Sequence, residues 1–148
     1  MVTHILVAVD GSTHADRALA FAADLAVKYE ADLTVLNVVS YASTVPLALG
    51  AYAELEGLYA ESRSVLQEAG AKIVENAAEQ ARRLGVEDVK TVVELGSPAQ
   101  SICDAADANG VDVIVMGRRG LSDFTGFFLG SISHKVAHSA DCTVVTVK

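Results

Sequence analysis

Short apolar runs and longer stretches of helical spacing alternate along nearly the whole chain. His4 to Val9 is a compact apolar run, which predicts a strand, and Asp10-Gly11 then turns the chain. Ala15, Ala18, Leu19, Ala22, Leu25, Ala26 and Tyr29 recur at helical spacing. Thr13 is placed to cap that helix, with Asp16 three residues on as its capping-box partner. Asp32 to Val39 predicts a second strand. Ser40 to Gly57 has no clear period and holds Pro46 and Gly50, so it reads as a long connection, either a lid over a ligand or a flap against a partner.

From about Leu58 to Leu84 the helical period returns, with Leu66, Ala69, Ile73, Val74, Ala77, Ala81 and Leu84 as its apolar stripe and Gly85 as its stop. A strand over Val86 to Leu95 follows. Ser97 is placed as the next N-cap, with Pro98 at the first helical position. Ile102, Ala105, Ala106 and Ala108 line that helix, and Gly110 ends it. Asp112 to Met116 predicts a fourth strand, Ser131 to Ser139 a helix, and Cys142 to Val147 a last strand.

The order is βαβαβαβαβ. Consecutive parallel strands need right-handed crossovers, and Val/Ile/Leu-rich strands without alternation are those covered on both faces. The expected fold is therefore α/β: a five-stranded, mostly parallel, Rossmann-like sheet with helices on both faces, within one domain spanning 1–148. A chain of 148 residues can hide roughly two-thirds of its unfolded surface.

Composition narrows the function. The apolar fraction is 51%, yet no apolar run approaches the ~20 residues that cross a bilayer. The first residues lack the basic region of a secretory signal, so a cytoplasmic location is expected. The net charge of −8 argues against nucleic-acid binding, which needs a basic face. Cys103 and Cys142 read as small core residues, since two separated cysteines make no zinc pattern.

The chemistry gathers after the fourth strand. Gly117, Gly120, Gly130 and Ser131 form the pattern Gly-x2-Gly-x9-Gly-Ser, and Ser131 opens a helix. Glycines let backbone N–H groups approach an anion, and a helix N-terminus adds unpaired donors and a positive dipole end. Together they make a triphosphate cradle. Neither Gly-x4-Gly-Lys-Ser/Thr nor Gly-x-Gly-x-x-Gly is present. Arg118 and Arg119 between the first two glycines are either surface cations or phosphate ligands.

Open α/β sheets bind ligands where the strand order reverses. With strand order 3-2-1-4-5, that point lies between strands one and four, whose ends carry Asp10 and Met116-Gly117. Asp10 there can accept hydrogen bonds from ribose hydroxyls; as an ordinary turn aspartate it would bond only its own backbone. Its place at the switch point favours the ligand role.

The run from Asp112 through Ser131 resembles the nucleotide-binding branch of the universal stress protein family. So do the opening Ile5 to Ser12, the stretch from Gly96 to Ala99, and the closing Cys142 to Val147. The resemblance spans the chain and implies an adenine nucleotide α-hydrolase-like fold. It implies an ATP site at Ala8, Val9, Asp10, Val38, Met116, Gly117, Arg119, Gly120, Gly130, Ser131 and Ile132, with Val38 offering its backbone to the adenine edge. It further implies ATP, alone or with Mg or Mn, and a homodimer formed through the last strand, 142–147. Thr143 stands where the family often has proline.

Three functions follow from these residues. One is an ATP-binding regulator in the stress response, acting on an unnamed protein partner. Another is a slow ATP-hydrolysing enzyme: Ser131 and His134 lie three apart and His134 and His138 four apart on one helix, spacings that suit a base or a metal pair, and a metal with backbone donors could stabilise developing charge, but the two histidines read more simply as solvent-facing. The third is a nucleotide-independent interaction module presenting Phe124, Phe127, Phe128 and Leu129.

Overall fold

The computed structural model describes residues 1–40, 54–120 and 130–148. The sheet has five strands, β1 (His4–Ala8), β2 (Asp32–Val39), β3 (Val89–Leu95), β4 (Val113–Gly117) and β5 (Thr143–Val147), in the order β3-β2-β1-β4-β5. Every neighbouring pair is parallel, with Ile5 beside Leu33 on one side and Val113 on the other. The helices are α1 (Thr13–Tyr29), α2 (Glu54–Arg83), α3 (Pro98–Ala108) and α4 (Ser131–Ser139).

Strand side chains alternate between two faces, and each face carries its own core. Ile5, Val7, Leu33, Val35, Val113 and Val115 pack with Ala18, Leu19 and Ala22 of α1 and Val74, Ala77 and Ala81 of α2. Leu6, Leu36, Ile114 and Met116 point the other way, onto Ile102 and Cys103 of α3 and Val136 of α4. Each such Leu, Ile or Val contributes about 1.5–3 kcal/mol when fully buried. The alanines of α1 and α2 let those helices lie close to the sheet.

Several boundaries differ from the sequence reading. The N-cap of α1 is Ser12, not Thr13: its Oγ accepts from the Ala15 N–H at 3.1 Å, and its position before the first helical residue is what a cap needs. α2 begins at Glu54, so 54–57 belong to a helix; the rest of the expected connection after Ser40, 41–53, lies outside the described residues. β3 begins at Val89. Val86 is buried, but its N–H bonds back to the Ala81 carbonyl at 3.2 Å, closing the end of α2 and filling the core ahead of the strand. β4 and β5 start one residue later than expected, at Val113 and Thr143, and β1 ends at Ala8. Tyr29, Ala69 and Ala108 are exposed on their helices, and Leu84 is exposed because it falls in the turn beyond the end of α2.

At the N-terminal foot of the sheet, Asp112 Oδ2 accepts from the Thr3 N–H at 2.7 Å, and from the His4 N–H and the Thr3 hydroxyl at 3.0 Å each. Those bonds, the Thr3 N–H first among them, hold its carboxyl below the usual carboxylate range.

Candidate functional site

The C-terminal ends of the central strands open into a cleft. Ala8 and Val9 of the β1 end, Leu36, Asn37 and Val38 of β2, and Met116 of β4 form its walls. Pro98 and Ile102 of α3, and Ile132 and Ser133 of α4, complete it together with Asp10, Ala15, Gly117, Arg119 and Gly120. β1 lies between β2 and β4, so the cleft sits at the reversal of strand order. An apolar wall with a few converging polar groups is the usual make-up of a small-molecule site.

Asp10 Oδ1 accepts from the Ser12 N–H at 2.9 Å. The turn-aspartate role is therefore present, and the same carboxylate lines the cleft. A Cβ on Gly120 would lie 2.7 Å from Asp10 Oδ2, so the start of the glycine loop approaches that carboxylate as only glycine can. A Cβ on Gly117 would lie 2.8 Å from the His14 Cβ, so the end of β4 is pressed against the first turn of α1.

Arg118 roots the loop through its backbone. Its N–H donates to the Val147 carbonyl at 2.7 Å, and its carbonyl accepts from the Gly130 N–H at 2.8 Å. Ser133 Oγ reaches the same Arg118 carbonyl at 2.9 Å and the Gly130 carbonyl at 3.0 Å. Arg118 and Gly130 are thus pinned together at the N-terminus of α4. Phe124, Phe127, Phe128 and Leu129 lie outside the described residues.

The model of the universal stress protein family matches residues 1–148. The chain belongs to the universal stress protein family. It is 38% identical to universal stress protein YxiE of Bacillus subtilis, over all of both chains. Among solved structures it resembles universal stress protein UspA from Lactobacillus plantarum, at 26% identity and a TM-score of 0.85, covering 99% of this chain and 97% of that one. A universal stress protein solved in complex with cAMP shares the fold at a TM-score of 0.69 and 24% identity, over 99% of this chain and 96% of that one.

Of the positions that the resemblance implies, Ala8, Val9, Asp10, Val38, Met116, Gly117, Arg119, Gly120 and Ile132 lie together around the cleft of this universal stress protein. Gly130 and Ser131 stand outside its lining. Gly130 is the N-cap of α4 and its N–H is already bonded to Arg118, while Ser131 is exposed. Asn37 and Ser133 are the polar lining residues that the sequence reading missed. Asn37 sat inside an apolar strand run, and Ser133 was one more serine on a short helix. Neither pattern shows a bonding partner.

The remaining candidates lie apart. His134 and His138 are exposed on α4. No group of three or more histidine, cysteine or carboxylate side chains among the described residues is arranged to hold a metal ion. Cys103 is buried beneath α3 and Cys142 is half-buried against the same core. Burial, first of all, pushes both thiols above the usual cysteine range. No helix among the described residues is long and apolar enough to cross a membrane.

Proposed function

We propose that this chain is an ATP-binding regulator of the stress response, working as a cytoplasmic homodimer. The observation that carries the reading is the meeting of Asp10, Val38, Gly117, Arg119 and Gly120 in one cleft at the switch point. Each has a distinct task there. Leu36, Ile102, Met116 and Ile132 give the base an apolar bed. Asp10 accepts from ribose hydroxyls. Gly120 adds no side chain between the loop backbone and the phosphates, and the guanidinium of Arg119 supplies positive charge in a strongly acidic chain.

The close approach of Gly120 to Asp10 supports the reading. A Cβ at 120 would meet the carboxylate that faces the ribose, so the close approach of loop to aspartate is part of the cleft's form. The nucleotide is ATP in this reading, alone or with Mg or Mn. Among the described residues β5 pairs only with β4, and a second copy pairing along it would cover the open edge.

The deciding experiment is mass spectrometry of nucleotide released by denaturing the purified protein, joined to calorimetric titration with ATP. Co-purified adenine nucleotide, and ATP binding weakened about tenfold or more in Arg119→Ala, are the expected results. A purified wild type that binds no adenine nucleotide, with or without Mg or Mn, would overturn the reading.

A further inference from the structure

β2 lies between β1 and β3, so successive residues turn their backbone groups to one neighbour and then the other. Val9 N–H donates to the Leu36 carbonyl at 2.9 Å, which sets Leu36 toward β1. Gly96 N–H donates to the Val39 carbonyl at 3.0 Å, which sets Val39 toward β3. Val38 is two residues past Leu36 and therefore turns its N–H and C=O to the β1 side. It does so at a level where β1 has already ended, at Ala8.

The next acceptor on that side is the Val9 carbonyl. In a continued ladder it would take the Val38 N–H. Instead Asn37 Nδ2 donates to it at 2.7 Å. Asn37 is 6% exposed, so its amide has no recourse to bulk water. The bond to Val9 fixes which way the amide faces, and its Oδ1 end is turned toward α2. A Cβ on Gly70 would lie 2.8 Å from that Oδ1, so α2 offers the amide a seat without a side chain.

We propose that Asn37 is a positioning residue whose amide takes the Val9 carbonyl in place of the Val38 N–H, ends the β1–β2 ladder there, and leaves the Val38 backbone edge to the base of a bound adenine nucleotide. The inference rests on the nucleotide reading above. A backbone N–H beside a C=O matches adenine, which presents a ring-nitrogen acceptor beside its amino donor. Guanine presents a carbonyl acceptor beside a ring N–H, the reverse order. Asn37 thus controls base selectivity without touching the base.

The test has two parts. Amide hydrogen exchange by NMR on the ligand-free protein reads the ladder alone. In the wild type the Val38 amide exchanges faster than the Leu36 amide, and in Asn37→Leu it becomes protected as it takes the vacated Val9 carbonyl. Calorimetric titration with ATP and GTP reads the base, and the ratio of the two affinities falls about tenfold in Asn37→Leu, the worth of one or two hydrogen bonds. General loosening of the fold would weaken both nucleotides alike and leave that ratio unmoved. A Val38 amide already protected in the wild type overturns the proposal without any variant. So does an unchanged ratio in a folded Asn37→Leu. Absence of any nucleotide binding by the wild type, with the exchange pattern as expected, would instead overturn the nucleotide reading and the role given to Val38.

Discussion

A side chain on Gly117 would strike His14. Its Cβ would lie 2.8 Å from the His14 Cβ and 2.9 Å from the His14 carbonyl carbon. Backbone cannot yield as a flexible side chain does, so β4 and α1 would have to part. Gly117→Val is expected to lower stability by about 1–3 kcal/mol, seen as a fall in the melting temperature of the ligand-free protein. An unchanged melting temperature would show that the strand end accommodates the branch.

Ser133→Ala removes the hydroxyl that bonds the carbonyls of Arg118 and Gly130. The expected loss is about 1 kcal/mol in denaturant unfolding. A more local consequence is faster hydrogen exchange at the Gly130 amide, since the Arg118 carbonyl it bonds is no longer held by the serine. Exchange at Gly130 unaltered by the substitution would mean that the backbone bond alone fixes the loop root.

Asp112 ties the foot of the sheet and its pKa is lowered, chiefly by the Thr3 and His4 N–H groups. The folded state therefore binds this proton less readily than the unfolded chain. Its contribution is present above the unfolded carboxylate value of about 3.9 and is lost as the pH falls through the folded value. Urea midpoints of wild type and Asp112→Asn are expected to differ at neutral pH and to converge in the acid range. A difference that held constant through that range would refute the linkage.

Cys103 and Cys142 both have raised thiol pKa values from burial. The thiolate is the reactive form, so a disulfide reagent at neutral pH should label both more slowly than it labels a free cysteine, with rates climbing only as the pH passes above the ordinary thiol range. Cys103, the more deeply placed, is expected to be the slower. Rapid labelling of Cys103 in the folded protein would contradict its place in the core.

The strand order and the two-faced core were legible because Ile5 to Val9 and Val113 to Met116 are apolar throughout and Leu33 to Val39 is broken only by Thr34 and Asn37, with no regular polar alternate, as in strands covered on both sides. The cleft was legible for a related reason: the order of the strands sets where it opens, and the glycines mark the spot. Element ends were less so. Val86 is apolar and buried, like a strand residue, yet it serves a turn, and only its bond to Ala81 distinguishes the two. Asn37 was hidden because its role depends on the Val9 carbonyl, 28 residues away in sequence. The spacing placed Gly130 among the donors, but its N–H belongs to the loop root.

Arg118 has one peptide group on each side, and both are committed: its N–H to Val147, its carbonyl to Gly130 and Ser133. The closing strand is therefore part of the glycine loop's foundation and no mere appendage to the sheet. Shortening the chain before Val147 would take away a strand residue and also undo the anchorage on which the far wall of the cleft is built. For anyone trimming or fusing this protein, its C-terminal side is the wrong place to cut.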